Sequence, residues 1–377
     1  MTVELLFWLA VFLVFYAYLG YPLLLALLGK VVHRPVAMSA VAYEPGVTVI
    51  LPVHNEERVI DAKLKNLDAL GYPRNRLEIL IVSDGSTDRT RQRIQDYRGD
   101  LQIRFLELPQ RQGKAAALNL GLRNATSEIL VFSDASIMLE ADALHRIVQP
   151  FQDDMIGCVS GEDHISGGGG EGLYGRYELF LRNLESRLCS IAGASGSFYA
   201  MRTSLCKPFL PGMAPDFLSV LVTVESGYRA ITEPLAIGFM ASTKSTSGEF
   251  TRKVRTLIRG MTALWHARAL LNPFRSGMFA LVLWSHKLMR WSVPWFMILA
   301  LVANLFLLHN MLYLVTFLLQ LAMYGLVLLG LLGPAAWRDS PIIKLPLFLV
   351  MVNFSILVSW LRFLTGTRLE IWEPTRR

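Results

Sequence analysis

Three apolar runs of strand length in this chain each end in acidic or amide side chains. Val47-Thr48-Val49-Ile50 leads into Leu51-Pro52-Val53-His54-Asn55-Glu56-Glu57, Ile79-Leu80-Ile81-Val82 into Ser83-Asp84-Gly85-Ser86-Thr87-Asp88, and Ile129-Leu130-Val131-Phe132 into Ser133-Asp134-Ala135-Ser136. Unbroken apolar strands suit a parallel sheet covered on both faces. In such a sheet all three clusters fall along one edge, where open α/β folds bind ligands. Helical patterns over Glu57 to Ala69, Arg89 to Tyr97, Lys114 to Asn124 and Glu140 to Phe151 separate the runs. Further strands are expected over 102–106, 157–160 and 198–201. The expectation is an α/β fold: a mostly parallel sheet with helices on both faces. No Gly-x-Gly-x-x-Gly follows the first strand and no Gly-Lys-Ser/Thr loop occurs, so the usual dinucleotide and P-loop phosphate cradles are excluded.

Both ends are too apolar for an ordinary soluble enzyme. Hydrophobic residues make up 53% of the 377, and the excess lies in Leu5 to Leu28, Trp291 to Leu308, Met311 to Leu332 and Ile342 to Leu364, each long enough to cross a bilayer. Between 276 and 291, His286, Lys287 and Arg290 interrupt an apolar pattern, which predicts a helix lying at the membrane surface rather than a span with uncompensated charges. The expected division is therefore an N-terminal anchor over 1–34, a catalytic domain over 35–275, an interfacial helix over 276–291 and about three spans over 292–377. Lys30, His33 and Arg34 after the first span, and Arg275, Lys287 and Arg290 before the second, place the domain in the cytoplasm by the positive-inside rule. That makes it an integral protein of a plasma or inner membrane. The net charge of +7 suits anionic lipid or phosphorylated substrates. No basic run with interleaved aromatics points to nucleic acid. Three widely spaced cysteines, Cys158, Cys189 and Cys206, read as buried free thiols.

Several residues carry candidate chemistry. Asp134 and Ser136, two apart beyond a buried strand, are oxygen ligands able to hold a divalent ion that also grips a diphosphate. Asp216, after Pro215, is the candidate general base, since a hydroxyl near neutral pH is a poor nucleophile until a carboxylate takes its proton. Arg252 and Arg255 would face one way on a helix, where two guanidinium forks could clamp a pyrophosphate. Gly193-Ala194-Ser195-Gly196-Ser197 offers small residues where backbone and ligand approach closely. The four glycines 167–170 read as a loop, and Tyr177, Phe180, Leu181, Leu184 and Leu188 as the apolar face of a helix.

Taken together, Leu51 to Glu57, Ser83 to Asp88, Lys114 in Gln112-Gly113-Lys114, and Phe132-Ser133-Asp134 resemble the membrane-bound family 2 glycosyltransferases, a group that includes cellulose, chitin, hyaluronan and poly-N-acetylglucosamine synthases. The resemblance runs from about Gly46 to Arg259. It implies a GT-A fold, a nucleotide-sugar donor (usually UDP-linked), a divalent metal (Mg²⁺ or Mn²⁺), inversion at the anomeric carbon, and a glycan or lipid-linked acceptor met at membrane lipids. Partner subunits of a polysaccharide assembly system belong to the same expectation. By that likeness Pro52, Val53, His54, Asn55, Glu56, Gly85 and Lys114 line the donor pocket. Asp84 touches the base, Asp134 holds metal, Asp216 is the base catalyst, and Gly193 to Ser197 form the acceptor-side loop. The sequence departs from the family pattern in three places. Ser136 replaces a second aspartate, which removes an anionic metal ligand; Pro215 replaces an acidic residue; and Thr256, not tryptophan, follows Arg255. The alternative reading, from a different class, is a catalytically silent nucleotide-sugar-binding subunit, which donor hydrolysis by the purified protein would distinguish.

Overall fold

A computed structural model of the chain describes residues 2–39, 41–166, 170–241, 246–334, 337–338 and 340–367. Among these, one sheet holds β1 (Val47–Val53), β2 (Leu77–Ser83), β3 (Ile103–Glu107), β4 (Ile129–Ser133), β5 (Ile137–Leu139), β6 (Ile156–Ser166), β7 (Phe198–Arg202) and β8 (Arg229–Ala241). Their spatial order is β3-β2-β1-β4-β7-β6-β8-β5. The four strands expected at the start are all parallel, with Val53 opposite Ser83 and Ile50 opposite Phe132. The three polar clusters therefore share one edge. Past β4 the sheet becomes mixed: β7 runs antiparallel to both β4 and β6, and β5 antiparallel to β8, while β6 and β8 are parallel. The mostly parallel arrangement thus holds for one half of the sheet. Strand β5 has only three residues and β8 carries Glu233 and Pro234 within it, so neither stands out as an apolar run.

The longer helices are α1 (Thr2–Leu28), α2 (Ile60–Asp68), α3 (Thr90–Gln95), α4 (Lys114–Asn124), α5 (Ala143–Val148), α6 (Gly170–Leu188), α7 (Pro215–Glu225), α8 (Thr246–His266), α9 (Met278–Leu305), α10 (Met311–Leu332) and α11 (Pro341–Leu364). Successive side chains of a strand point to opposite faces. Val47, Val49 and Leu51 accordingly pack with Ile60, Leu64 and Leu67 of α2, while Ile50 packs on the other side with Ala117 and Leu118 of α4. Both faces are buried, which is why β1 reads as a continuous apolar run. Of the glycine run, 167–169 lie outside the described residues.

Four helices, α1, α9, α10 and α11, are long and apolar enough to cross a membrane, matching the expected number of spans. The expected internal boundaries are different. Residues 276–291 do not form a separate interfacial helix. Helix α9 continues from Met278 to Leu305, through a π-helical stretch at Leu283–Met289. Two of its basic residues are partnered by α6: His286 contacts Glu185 (2.6 Å) and Glu178 (3.0 Å), and Arg290 pairs with Glu178 (2.5 Å). The carboxylates that make this possible lie about a hundred residues away, where the local pattern cannot report them. Nor does packing stop at residue 275. Phe279, Val282 and Leu283 of α9 and Ile356 of α11 belong to the same apolar cluster as Val220 and Leu221 of α7.

Candidate active site

The loops after β1 and β2 are tied together by short hydrogen bonds. Asn55, the only non-glycine residue with positive φ among those described (54°), accepts from the Thr87 N–H at 2.8 Å. Its own N–H donates to the Ser86 hydroxyl (3.2 Å), and the Glu56 N–H donates to the Thr90 hydroxyl (2.8 Å). His54 is buried, with Nδ1 at 2.7 Å from the Asp84 carbonyl oxygen. Gly85 sits at φ +60°, and a Cβ there would come within 2.7 Å of the Arg111 backbone nitrogen, so the turn admits only glycine.

Asp84, expected to face the base, is tied to the next loop. Its side chain is 1% exposed, and its two carboxylate oxygens accept from the Gln112 and Gly113 N–H groups at 2.7 and 2.8 Å. That carboxylate shapes the loop entering α4, whose first residue is Lys114. Lys114 Nζ reaches Asp134 at 2.5 Å and the Gly196 carbonyl oxygen at 3.3 Å. The Asp134 N–H donates to the Ser197 carbonyl (3.0 Å), binding the glycine-serine loop to the end of β4. Ser195 supports that loop from below: its hydroxyl donates to Asp163 and accepts from the Ser197 and Phe198 N–H groups.

Asp216 lies in the first turn of α7, directly after Pro215 at the helix start. A small cavity brings it together with Pro52, Lys114, Asp134, Gly196 and Pro215. Burial pushes its carboxyl above the usual carboxylate range; Lys114, its own helix-start amides and Lys287 oppose that shift. The other side of Asp216 borders a larger cavity of about 340 Å³ that also contains Arg252. Arg255 lies next to Arg259, which burial and the Arg255 charge push down to about 10, against the attraction of Asp216. Arg259 extends the expected arginine pair by one turn. The i+4 spacing from Arg255 was the signal available for it in the sequence.

Lys63 was not singled out by its pattern. It is fully buried in α2, and Nζ donates to the Ser133 hydroxyl (2.9 Å) and the Ile137 carbonyl (2.6 Å), bracing the turn that holds Asp134 and Ser136. Burial pushes its ammonium down to about 7, with Asp134 opposing. Because the folded value lies below that of an exposed lysine, the unfolded chain binds more protons above pH 7. The cost of burying the charge is present below that pH and is relieved as pH rises toward the ordinary lysine value. The thermal midpoint should therefore rise from pH 7 to 9, and Lys63→Met should flatten that rise; an unchanged slope in the variant would remove Lys63 as its source.

The same turn bears on the divalent metal. Asp134 and Ser136 flank a tight turn in which the Ile137 N–H donates to the Asp134 carbonyl (3.4 Å). Among the described residues no three His, Cys, Asp or Glu side chains come together as a metal cage. One carboxylate and one hydroxyl fit a Mg²⁺- or Mn²⁺-like ion held mainly by substrate phosphates and water, as hard octahedral ions often are. Cys158, Cys189 and Cys206 are free thiols.

The chain is similar in sequence and fold to known proteins. The sequence model of a family described as glycosyl transferase family 2 matches residues 48–208, from β1 to beyond β7. The poly-beta-1,6-N-acetyl-D-glucosamine synthase of Staphylococcus aureus (strain COL) is 27% identical over 223 residues, covering 56% of this chain and 53% of that protein. The synthase of the same description from Staphylococcus epidermidis is 26% identical over 223 residues. The chain spans about half the length of these curated relatives. Among solved structures, the mannosyltransferase PcManGT from Pyrobaculum calidifontis, in complex with GDP-Man and Mn²⁺, is similar with a TM-score of 0.75 at 25% identity, covering 96% of this chain and 100% of that one. The matched segment contains all three strand-end clusters together with Lys114, so residues 48–208 are similar to glycosyl transferase family 2, and the sheet is similar to that of the Pyrobaculum mannosyltransferase, with candidate membrane-spanning helices at both ends.

Proposed function

We propose that this protein transfers a sugar from a nucleotide-sugar to a hydroxyl of an acceptor at a membrane surface, with inversion at the anomeric carbon. The observation that carries this reading is the single cavity shared by Lys114, Asp134 and Asp216. Lys114 and Asp134 stand at the ligand edge of the parallel strands, where the donor diphosphate would lie. Asp216 approaches from α7 and takes the proton of the attacking hydroxyl as the new bond forms. Burial raises its affinity for protons, the direction that suits a base. Attack from the Asp216 side, opposite the leaving diphosphate, is one displacement and inverts the anomeric centre. Arg252 and Arg259, near Asp216, are placed to counter negative charge on the departing group. His54, Asn55 and Gly85 hold the crossed loops that would border the nucleotide, while Asp84 positions Lys114.

Asp134, with Ser136 and the diphosphate, would hold a divalent ion, which neutralises charge on the leaving phosphate when bound. Ser136→Asp adds a hard anionic ligand and should lower the Mn²⁺ concentration for half-maximal donor binding about tenfold. Titration of metal against donor binding checks this; an unchanged midpoint would remove position 136 from the ligand set.

By the positive-inside rule, the basic residues flanking the spans favour a catalytic face in the cytoplasm, at a plasma or inner membrane. UDP-linked donors follow from the family likeness, and the GDP-Man bound by the Pyrobaculum mannosyltransferase makes guanine-linked donors the second arm of a screen. Nucleoside diphosphate release from the full chain, with native membranes as acceptor source, tests the reading. Failure of every UDP- and GDP-sugar to yield product would reject it.

A further inference from the structure

Resting on the transferase reading above, we propose that Glu185 is a positioning residue through which membrane helices α1 and α9 hold the loop over 193–197 against Lys114, Asp134 and Asp216. Its side chain is fully buried on α6. One carboxylate oxygen accepts from the Tyr21 hydroxyl of α1 (2.7 Å) and lies 2.6 Å from Nδ1 of His286 on α9. The other accepts from the Ala192 N–H (2.9 Å), immediately before the loop. One carboxylate thus joins α6, two membrane helices and the root of the glycine-serine loop.

The loop carries that hold into the site. The Gly196 carbonyl accepts from Lys114 Nζ (3.3 Å), and the Ser197 carbonyl accepts from the Asp134 N–H (3.0 Å). A Cβ on Gly196 would sit 3.9 Å from the Asp216 carboxyl carbon, so the loop backbone also abuts the candidate base. Farther along, the loop is fixed inside the sheet domain. There the Ser195 N–H donates to the Ser160 hydroxyl (2.8 Å), which also accepts from Arg182 of α6 (2.8 Å). Glu185 supplies the hold at the near end, and its partners there are membrane helices.

Packing alone does not call for this arrangement. A buried carboxylate is costly unless hydrogen bonds satisfy it, and an apolar side chain of similar size would fill the space without partners. What the carboxylate adds is direction, because its two oxygens fix the Ala192 amide relative to Tyr21 and His286. Asp216 and Asp134 face each other across a small cavity with Gly196 in its wall. A misplacement of about 1 Å between such groups can lower a rate about 10²-fold.

The test uses the full chain in non-ionic detergent. Backbone hydrogen exchange over 193–197 reports the loop, with β1 as the reference for global stability. Glu185→Leu should speed loop exchange at least about tenfold more than that of β1. It should lower the kcat of transfer about 10²-fold. Lys114 and Asp134 keep their own ion pair, so donor affinity should fall by no more than about threefold. Glu185→Gln should restore most of the activity. Its amide oxygen can accept from Ala192 while its NH₂ faces the Tyr21 hydroxyl and the His286 nitrogen, both able to accept. Tyr21→Phe removes one hydrogen bond from α1 and should loosen the loop about threefold to tenfold. Combined with Glu185→Leu it should add nothing further.

Equal acceleration of the loop and β1 would leave Glu185 a structural role only and overturn the proposal. A parental loop in Tyr21→Phe would overturn the link to the membrane helices, and this variant decides if Glu185→Leu does not fold. A parental kcat with a loosened loop would overturn the link to catalysis, and Glu185→Gln as poor as Glu185→Leu would overturn the hydrogen-bond geometry. A loop loosened as expected in a chain whose parent yields no product from any donor would reject the transferase reading while leaving the Glu185 tie standing.

Discussion

Asp216→Asn is expected to lower sugar transfer about 10²–10⁴-fold, the usual contribution of a positioned base, while donor affinity changes little. The amide keeps the shape of the carboxylate but cannot accept the hydroxyl proton. Stability should move the other way. Burial raises the folded pKa of Asp216 above its unfolded value, so its favourable contribution is present only below the unfolded pKa and is lost as pH rises through the folded one. Above its folded pKa the ionised carboxylate is a net cost, and there the asparagine variant should unfold at no lower a temperature than the parent. Transfer by the parent should fall as acid protonates Asp216, at a pH above that expected for an exposed aspartate. Single-turnover rates against pH, with thermal unfolding of both proteins, check this. Transfer within about tenfold of the parent would exclude Asp216 as the base.

The largest structural effect is expected from Asp84→Ala. Both oxygens of the buried Asp84 carboxylate accept backbone N–H groups, one from the exposed Gln112 and one from the buried Gly113, and the alanine would take this acceptor away from both. The cost is about 1–3 kcal/mol, mostly from the buried Gly113 N–H, since a buried unsatisfied donor costs roughly that much while the Gln112 N–H can turn to water. The loop leads directly to Lys114, so donor affinity should fall together with stability. Asp84→Asn keeps one acceptor oxygen and should lie between the two. Unfolding and donor-binding measurements on the three proteins distinguish this from direct contact with the base. If Asp84→Ala weakened donor binding at unchanged stability, its carboxylate would belong to the ligand and not to the loop.

Much of the fold was legible because burial leaves a local record. Ile50, Leu80 and Val131 lie in runs whose every residue meets a packed face, and such runs read as interior parallel strands. Helix α4 spans Lys114–Asn124 as its pattern indicated, and three of the four long apolar helices, α1, α10 and α11, lie close to where hydropathy put them, while α9 begins earlier. The clusters after β1, β2 and β4 share an edge because parallel strands impose it. All of this follows from periodicity and length, which neighbouring residues carry among themselves.

Tertiary structure decided which of those polar groups remain available to a ligand. Asp84 and Asp134 occupy equivalent places after their strands, yet one accepts two backbone amides and the other meets Lys114 in a cavity. Lys63 looks like an ordinary helix lysine and is the brace beneath the Asp134 turn. His286 and Arg290 suggested a surface helix until Glu178 and Glu185 were found against them. A pairing between residues a hundred positions apart imposes no period on either neighbourhood. Its energy depends on distance and burial, which exist only once the sheet, α6 and the membrane helices have packed together.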